Sequence, residues 1–206
     1  MKTIQTTVYD FEELSDSAKE TARAWYREDL PYYNEFLLDD VADVADIMGL
    51  DIRLTRRALM GGGHRYDPSI YYSGFYSQGD GACFDGSYKY KPGALKSIKA
   101  YTNDIEILRI CKALQDVQSK HFYRLTANCK HSGHYMHSGC MRVEVEDDYS
   151  EVNDYDDDTV TQCMRDFANW IYKRLETECE YQNSDDVIDE NIRCNEYQFT
   201  EQGAIS

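Results

Sequence analysis

The sequence predicts an α+β fold, a mainly antiparallel sheet packed with about four helices in a single compact domain over residues 1–206. Three observations predict it. Helical and strand patterns follow one another in an order that suits an antiparallel sheet with helices packed on it. The length fits one domain, and no internal repeat or linker rich in proline or serine divides it. Eighteen tyrosines and two tryptophans supply apolar surface for a core.

The elements follow in order. Thr3 to Phe11 alternates and reads as an N-terminal strand. Ser17 and Glu20 fit a capping box, with Leu14 as its staple. The helix they open turns Ala18, Ala22, Trp25 and Tyr26 inward and stops near Leu30-Pro31. A second helix runs from about Tyr33 to Met48, where Leu37, Val41, Val44, Ala45 and Met48 recur at helical spacing opposite Asp39, Asp40, Asp43 and Asp46. Gly49 closes it. Short strands occupy Asp51 to Lys91. A third helix carries Ile107, Ile110, Cys111, Leu114 and Val117, capped by Asn103 or Asp104. Phe122 to Lys130 and Tyr135 to Val145 form a hairpin, and Asp147 to Asp158 is an acidic loop. The fourth helix buries Val160, Cys163, Met164, Phe167, Ile171 and Leu175. A short acidic helix from about Ser184 and a strand over Glu196 to Thr200 end the chain.

At the centre stands a stretch dense in aromatics, glycines and hydroxyls. Ile70 to Phe75 reads as a strand, Gln78-Gly79-Asp80-Gly81 as a tight turn and Ala82-Cys83-Phe84 as the return strand. Turn chemistry accounts for the glycines. A sharper reading makes Ser73, Tyr76, Ser77, Gln78 and Asp80 a ligand loop, because bare glycine amides beside polar side chains hold polar groups.

Charge is the most informative bulk property. The formal net charge is −16, and residues 144–206 hold 19 acids against 4 bases, while residues 1–143 hold 19 against 18. Such a field repels nucleic acid and attracts basic surfaces, including the nucleic-acid-binding grooves of other proteins. The basic residues Arg53, Arg56, Arg57, Arg65, Lys89, Lys91, Lys96 and Lys99 flank the aromatic hairpin. They read as neutralising the acidic C-terminal third within the same fold, and not as a nucleic-acid patch. The chain has no run of eighteen apolar residues, and Met1-Lys2-Thr3-Ile4-Gln5 lacks the apolar core of a signal peptide. A soluble cytoplasmic protein with no membrane partner follows, and its seven cysteines are expected to be reduced thiols.

For chemistry, Cys129, His131, His134, His137 and Cys140 have the residue types of a zinc site, without a Cys-x-x-Cys spacing. Histidines packed and hydrogen-bonded in a sheet are the favoured explanation, so no cofactor is expected, with zinc as the alternative. Cys83 or Cys140 with His131, His134 or His137 offers a thiol–imidazole pair, but no family signature accompanies it. Gly61-Gly62-Gly63-His64 lacks the Lys-Ser/Thr of a phosphate loop. No catalytic residue is assigned, and the expectation is a binding protein.

Four stretches resemble a family of small phage- and prophage-encoded proteins often labelled antitoxins of a toxin–antitoxin stability system. They are Tyr9-Asp10-Phe11-Glu12-Glu13-Leu14-Ser15, the run from Tyr72 to Phe84, Lys130-His131-Ser132-Gly133-His134-Tyr135-Met136-His137 and Asn195-Glu196-Tyr197-Gln198-Phe199-Thr200. The resemblance implies a viral or prophage origin and an accessory role, and it brings no catalytic residues.

Together these readings predict a phage-encoded acidic protein in the host bacterial cytoplasm. It would inhibit a nucleic-acid-handling defence system, CRISPR–Cas or restriction, by occupying a basic surface as a nucleic-acid mimic. The expected contacts are Glu144, Glu146, Asp147, Asp148, Glu151, Asp154, Asp156, Asp157 and Asp158, with Glu176, Glu178 and Glu180 on the fourth helix. Two alternatives stand beside it: an antitoxin that neutralises a partner toxin, and a small-ligand or zinc protein using the 73–84 hairpin and the 129–140 histidines. The oligomeric state is open.

Overall fold

A computed structural model describes residues 7–28 and 32–206. Among them are six α-helices: α1 Asp16–Glu28, α2 Glu35–Met48, α3 Ala94–Tyr101, α4 Ile105–Lys120, α5 Asp154–Gln182 and α6 Asp185–Cys194. The strands are β1 Tyr9–Asp10, β2 Leu50–Ile52, β3 Leu54–Ala58, β4 His64–Pro68, β5 Ile70–Tyr72, β6 Ala82–Phe84, β7 Gly86–Lys89, β8 Thr126–His131, β9 Met141–Glu146 and β10 Gln198–Phe199. Every strand pairing is antiparallel, and the fold is α+β. No described helix is long and apolar enough to cross a membrane. The chain divides into two compact units, Met1–Asn34 with Glu176–Ser206, and Glu35–Leu175.

In the smaller unit, Ala18 and Ala22 of α1 lie in one core with Ile188 and Ile192 of α6, Phe11, Leu14 and Phe199. Small residues on α1 let it approach α6 closely, and Trp25 closes the cluster edge-on to Tyr197 at 5.3 Å and Phe199 at 5.9 Å. The Arg23 guanidinium grips Asp189 with two parallel bonds of 2.7 Å, which holds that carboxyl below its ordinary range. Two expectations change here. Ser15, not Ser17, caps α1, its Oγ accepting from the Ala18 N–H at 3.3 Å. The N-terminal strand stops at Asp10, because Phe11 opens a 3₁₀ turn, and among the described residues it pairs Tyr9 and Asp10 with Phe199 and Gln198. Residues 3–6 and the helix stop at Leu30-Pro31 lie outside the described residues.

The larger unit is built on a four-stranded sheet in the order β2-β7-β8-β9. Leu50, Ile52, Tyr88, Ala127, Cys129 and Met141 are buried from it, whereas Asp51, Lys89, Asn128, Lys130 and Glu144 stand exposed. One face inward and one in water is the ordinary state of an antiparallel sheet, and strict alternation of side chains produces it. All six residues expected inward on the fourth helix, from Val160 to Leu175, are buried on α5. Trp170 Nε1 donates to Asp104 Oδ2 at 2.8 Å, while Asp104 Oδ1 caps α4 through the Glu106 and Ile107 amides.

Helix α3 has no counterpart among the expected elements. It is one short amphipathic stretch with only Ala94 and Ile98 buried, too few apolar residues to show a period. The central hairpin pairs Ile70 with Phe84 and Tyr72 with Ala82, but its first strand ends at Tyr72. Ser73–Gly81 is a longer loop in place of the expected tight turn. Likewise β9 begins at Met141, not Tyr135, because His131 pairs with Met141 and Ser132–Cys140 loops out. Strand β8 begins at Thr126, because Phe122 and Tyr123 have φ of +52° and +64°, which no strand accommodates.

Candidate functional site

The positive φ values of Phe122 and Tyr123 create the most distinctive site in the chain. Helix α4 ends at Lys120, and the Tyr123 N–H returns to the Gln118 carbonyl at 2.8 Å. Gln118, fully buried, then clamps Leu125 by two bonds, Nε2 to the carbonyl at 2.7 Å and the amide to Oε1 at 3.1 Å. The tight reversal projects Lys120, His121, Phe122 and Arg124 towards the acidic stretch after β9. Left-handed backbone at two bulky residues in succession costs about 1–2 kcal/mol each, and such strain concentrates at functional sites.

His121 is held between two carboxylates, Nδ1 3.1 Å from Asp147 Oδ2 and Nε2 3.1 Å from Asp156 Oδ2. Ionised carboxylates only accept, so both contacts form together when both ring nitrogens carry a proton. Asp156 also binds Lys120 Nζ at 2.7 Å and Asn153 Nδ2 at 2.7 Å. Chiefly through Lys120, its carboxyl is held down at about 2. Asp147 accepts from the Tyr149 amide at 3.0 Å, the main reason its carboxyl lies below the ordinary range, and Arg124 Nε stands 3.5 Å away. These two aspartates therefore bracket the loop and tie it to the end of α4. Asn153 caps α5 by accepting from the Asp156 amide at 3.0 Å.

What this scaffold presents is aromatic. Arg124 lies between two rings, 5.3 Å from the Phe122 centre and 4.9 Å from Tyr149, and Lys120 Nζ is 5.2 Å from the Tyr155 centre. Phe122, Tyr149 and Tyr155 are nonetheless 76%, 79% and 73% exposed. On the same β9–loop–α5 segment, Glu144, Glu146, Asp148, Glu151, Asp154 and Asp158 are exposed. Exposed aromatics and arginine in the midst of carboxylates form a face with the composition of a binding surface.

The expected acidic contacts thus separate into groups. Glu144, Glu146, Asp148, Glu151, Asp154 and Asp158 face solvent, with Glu144 bonded to Arg142 at 2.8 Å. Asp157 is half-buried and accepts from Thr161 Oγ1 at 3.4 Å. Asp147 and Asp156 point inward because the cations of residues 120–124 lie behind them. Glu176, Glu178 and Glu180 belong to the smaller unit, where Glu178 accepts from Gln182 Nε2 at 2.7 Å. Lys120, His121, Phe122, Arg124, Tyr149 and Tyr155 were not among the expected residues. The signal for the two tyrosines was their place inside the acidic run.

The flanking bases do not neutralise the C-terminal third. Among the described residues, Arg57 and Arg65 pair with Asp67, Arg65 also with Glu35, and Lys91 with Asp46. Short sequence separation decides this: Asp67 lies on the strand paired with Arg57.

In the aromatic hairpin, the Asp80 carboxylate accepts from the Tyr76 amide at 3.0 Å and the Ser77 amide at 2.6 Å. Within the expected ligand loop Asp80 is therefore engaged by the Tyr76 and Ser77 amides, while the Tyr76, Ser77 and Gln78 side chains face solvent and Ser73 is half-buried. The loop packs on its neighbour at Gly81, where a Cβ would fall 2.5 Å from His137 Cβ. Of the zinc-type residues, Cys129 is buried with its thiol pushed up to about 12, and His131 Nε2 lies 3.2 Å from the Tyr135 carbonyl. The His134 ring packs edge-on to Tyr135 at 5.4 Å. His137 and Cys140 do meet, Nε2 to Sγ at 3.5 Å. However, the Gly139 amide donates to His137 Nδ1 at 3.1 Å, so the neutral ring keeps its proton on Nε2, facing the sulfur. In that tautomer Nε2 offers no lone pair to a metal or to the thiol proton. No group of three or more histidine, cysteine or acidic side chains among the described residues is placed to hold a metal ion.

A family described as a domain of unknown function, DUF8835, matches residues 33–185. The chain belongs to the DUF8835 family. The matched span includes the whole acidic–aromatic face, from Lys120 to Asp158. No curated protein and no solved structure matches the chain.

Proposed function

We propose that this DUF8835 member is a binding protein, not an enzyme, whose acidic–aromatic face occupies a basic surface on a bacterial nucleic-acid-handling protein. The target class is a defence system of CRISPR–Cas or restriction type, and the face acts there as a nucleic-acid mimic in the host cytoplasm. One observation carries the reading. Asp147 and Asp156 turn inward onto His121, which fixes the loop between them and leaves six carboxylates outward around three exposed rings. Pre-organised charge raises affinity because little ordering remains to be done on binding. The rings add what a nucleic acid also offers through its bases: stacking surfaces for arginine. The net charge of −16 and the resemblance to phage-encoded proteins agree with it.

The test is capture by the immobilised protein from bacterial lysate, identification of what is retained, and a DNA-binding assay on that protein. A defence nuclease or its nucleic-acid-binding subunit, displaced from DNA by this chain and released by high salt, is the expected result. A small toxin captured instead, or a complex indifferent to salt and to charge reversal at Asp148 and Glu151, would sink the proposal.

A further inference from the structure

Strands β3 and β4 form a two-stranded arm whose strands pair with no third strand among the described residues. Every residue of β3 is exposed, as are His64, Arg65 and Tyr66 of β4. At its base the Arg53, Ser69 and Asp85 backbones bond to one another in a ring, with lengths of 2.7–2.9 Å. At its tip, Met60 is fully exposed beside three glycines with φ of +94° to +104°. An isolated two-stranded ribbon is marginal in water, so an arm kept with neither face covered calls for a partner.

The register sorts its side chains. Arg56 opposes Tyr66 and Leu54 opposes Pro68, so these four share one side, while Arg57, Arg65 and Asp67 share the other. On that second side Asp67 pairs with both arginines, and Glu35 with Arg65 as well. On the first, Arg56 has no ion pair among the described residues, and it lies between exposed Leu54 and Tyr66. Arginine, tyrosine and methionine without cover are the composition of an interface centre.

We propose that this side of the arm docks on the acidic–aromatic face of a second copy of the chain. The inference rests on reading that face as a binding surface, and it adds regulation: self-association and target binding compete for it. The complementarity is on the molecule itself. Arg56 meets carboxylates such as Asp148 and Glu151, and Leu54, Tyr66 and Met60 meet Phe122, Tyr149 and Tyr155. Repulsion between two chains of charge −16 does not forbid this, because charges more than about 10 Å apart are screened at ordinary ionic strength. The same net charge disfavours nucleic acid as the occupant.

A charge swap tests the proposal by sedimentation velocity on the full chain. Wild type is expected to dimerise at ordinary ionic strength and dissociate at high salt. An arm variant, Arg56→Glu with Met60→Asp, and a face variant, Asp148→Lys with Glu151→Lys, are each expected to be monomeric. Their equimolar mixture is expected to dimerise, since each reversed arm then meets a reversed face. All four positions are exposed, and an unchanged circular dichroism spectrum confirms folding. A monomeric wild type at ordinary ionic strength, an arm variant that dimerises like wild type, or a mixture that stays monomeric would overturn the proposal. Binding of a duplex DNA probe that Arg56→Glu abolishes would also overturn it, assigning the arm to nucleic acid. The arm variant should still capture the basic target, whereas a wild type that captures the target but never self-associates removes this inference and leaves the proposed function standing.

Discussion

Lys120 Nζ donates to Asp156 Oδ1 at 2.7 Å, joining the last residue of α4 to the first turn of α5. The same carboxylate holds His121 and Asn153, so one buried aspartate anchors the far end of the acidic loop. Replacing it, Asp156→Asn, removes a charge-assisted anchor and should cost about 1.5–3 kcal/mol in denaturant unfolding. Limited proteolysis should then cut first between residues 147 and 153, where the loop loses that anchor.

The pH dependence of that anchor has a definite sign. Asp156 has its carboxyl lowered from the ordinary value to about 2 in the folded state, chiefly by Lys120. Its contribution is therefore complete above about pH 4 and is lost as pH falls towards 2. Melting temperatures of wild type and Asp156→Asn should differ at neutral pH and converge over that acid window. A gap that widened on acidification would contradict the assignment.

Phe122 separates stability from binding. Its φ of +52° suits glycine better than phenylalanine. Phe122→Gly should raise unfolding stability by about 0.5–1 kcal/mol, as relief of strain exceeds the added entropy of the unfolded chain. The same change removes an exposed ring, and should weaken target capture by about 1–2 kcal/mol. Calorimetry on the free protein and on the complex reads the two effects separately.

The cysteines should fall into two classes. Burial pushes the Cys83, Cys129 and Cys163 thiols up to about 12 and Cys111 up to about 11. These four should stay unmodified by an alkylating reagent at neutral pH until the protein unfolds, whereas exposed Cys194 reacts at once. Peptide mass mapping before and after denaturation checks this.

Gly81 is required by space. An added Cβ would meet His137 Cβ at 2.5 Å and its Cα at 2.8 Å, so Gly81→Ala must push two loops apart. The expected loss is about 1–3 kcal/mol, read by thermal melting.

How much was legible in the sequence depended on the range of the forces involved. Helices α2, α4 and α5 declare themselves, because Val41, Val44, Ala45 and Met48, or Cys163, Met164, Phe167 and Ile171, repeat with the turn of the helix itself. The α+β class, the closing Gly49 and the cap at Asp104 are equally local. The acidity of residues 144–206 is also a property of the chain alone. Which of those acids face outward is not. Asp147 and Asp148 are neighbours of the same type, yet one is bonded to His121 and the other stands in water. The difference comes from a reversal at Phe122 and Tyr123, some 25 residues earlier, that delivers Lys120, His121 and Arg124 to one side of the loop. The zinc-type residues show the converse. Cys129, His131, His134, His137 and Cys140 are close in sequence, but strand alternation buries Cys129, and a looped backbone ties His131 and His137 to main-chain partners. Periodicity and composition are written along the chain. The pairing of a particular carboxylate with a particular cation is decided only when the tertiary fold brings them within a few ångströms, because desolvation and Coulomb attraction are strong at that distance and weaken beyond it.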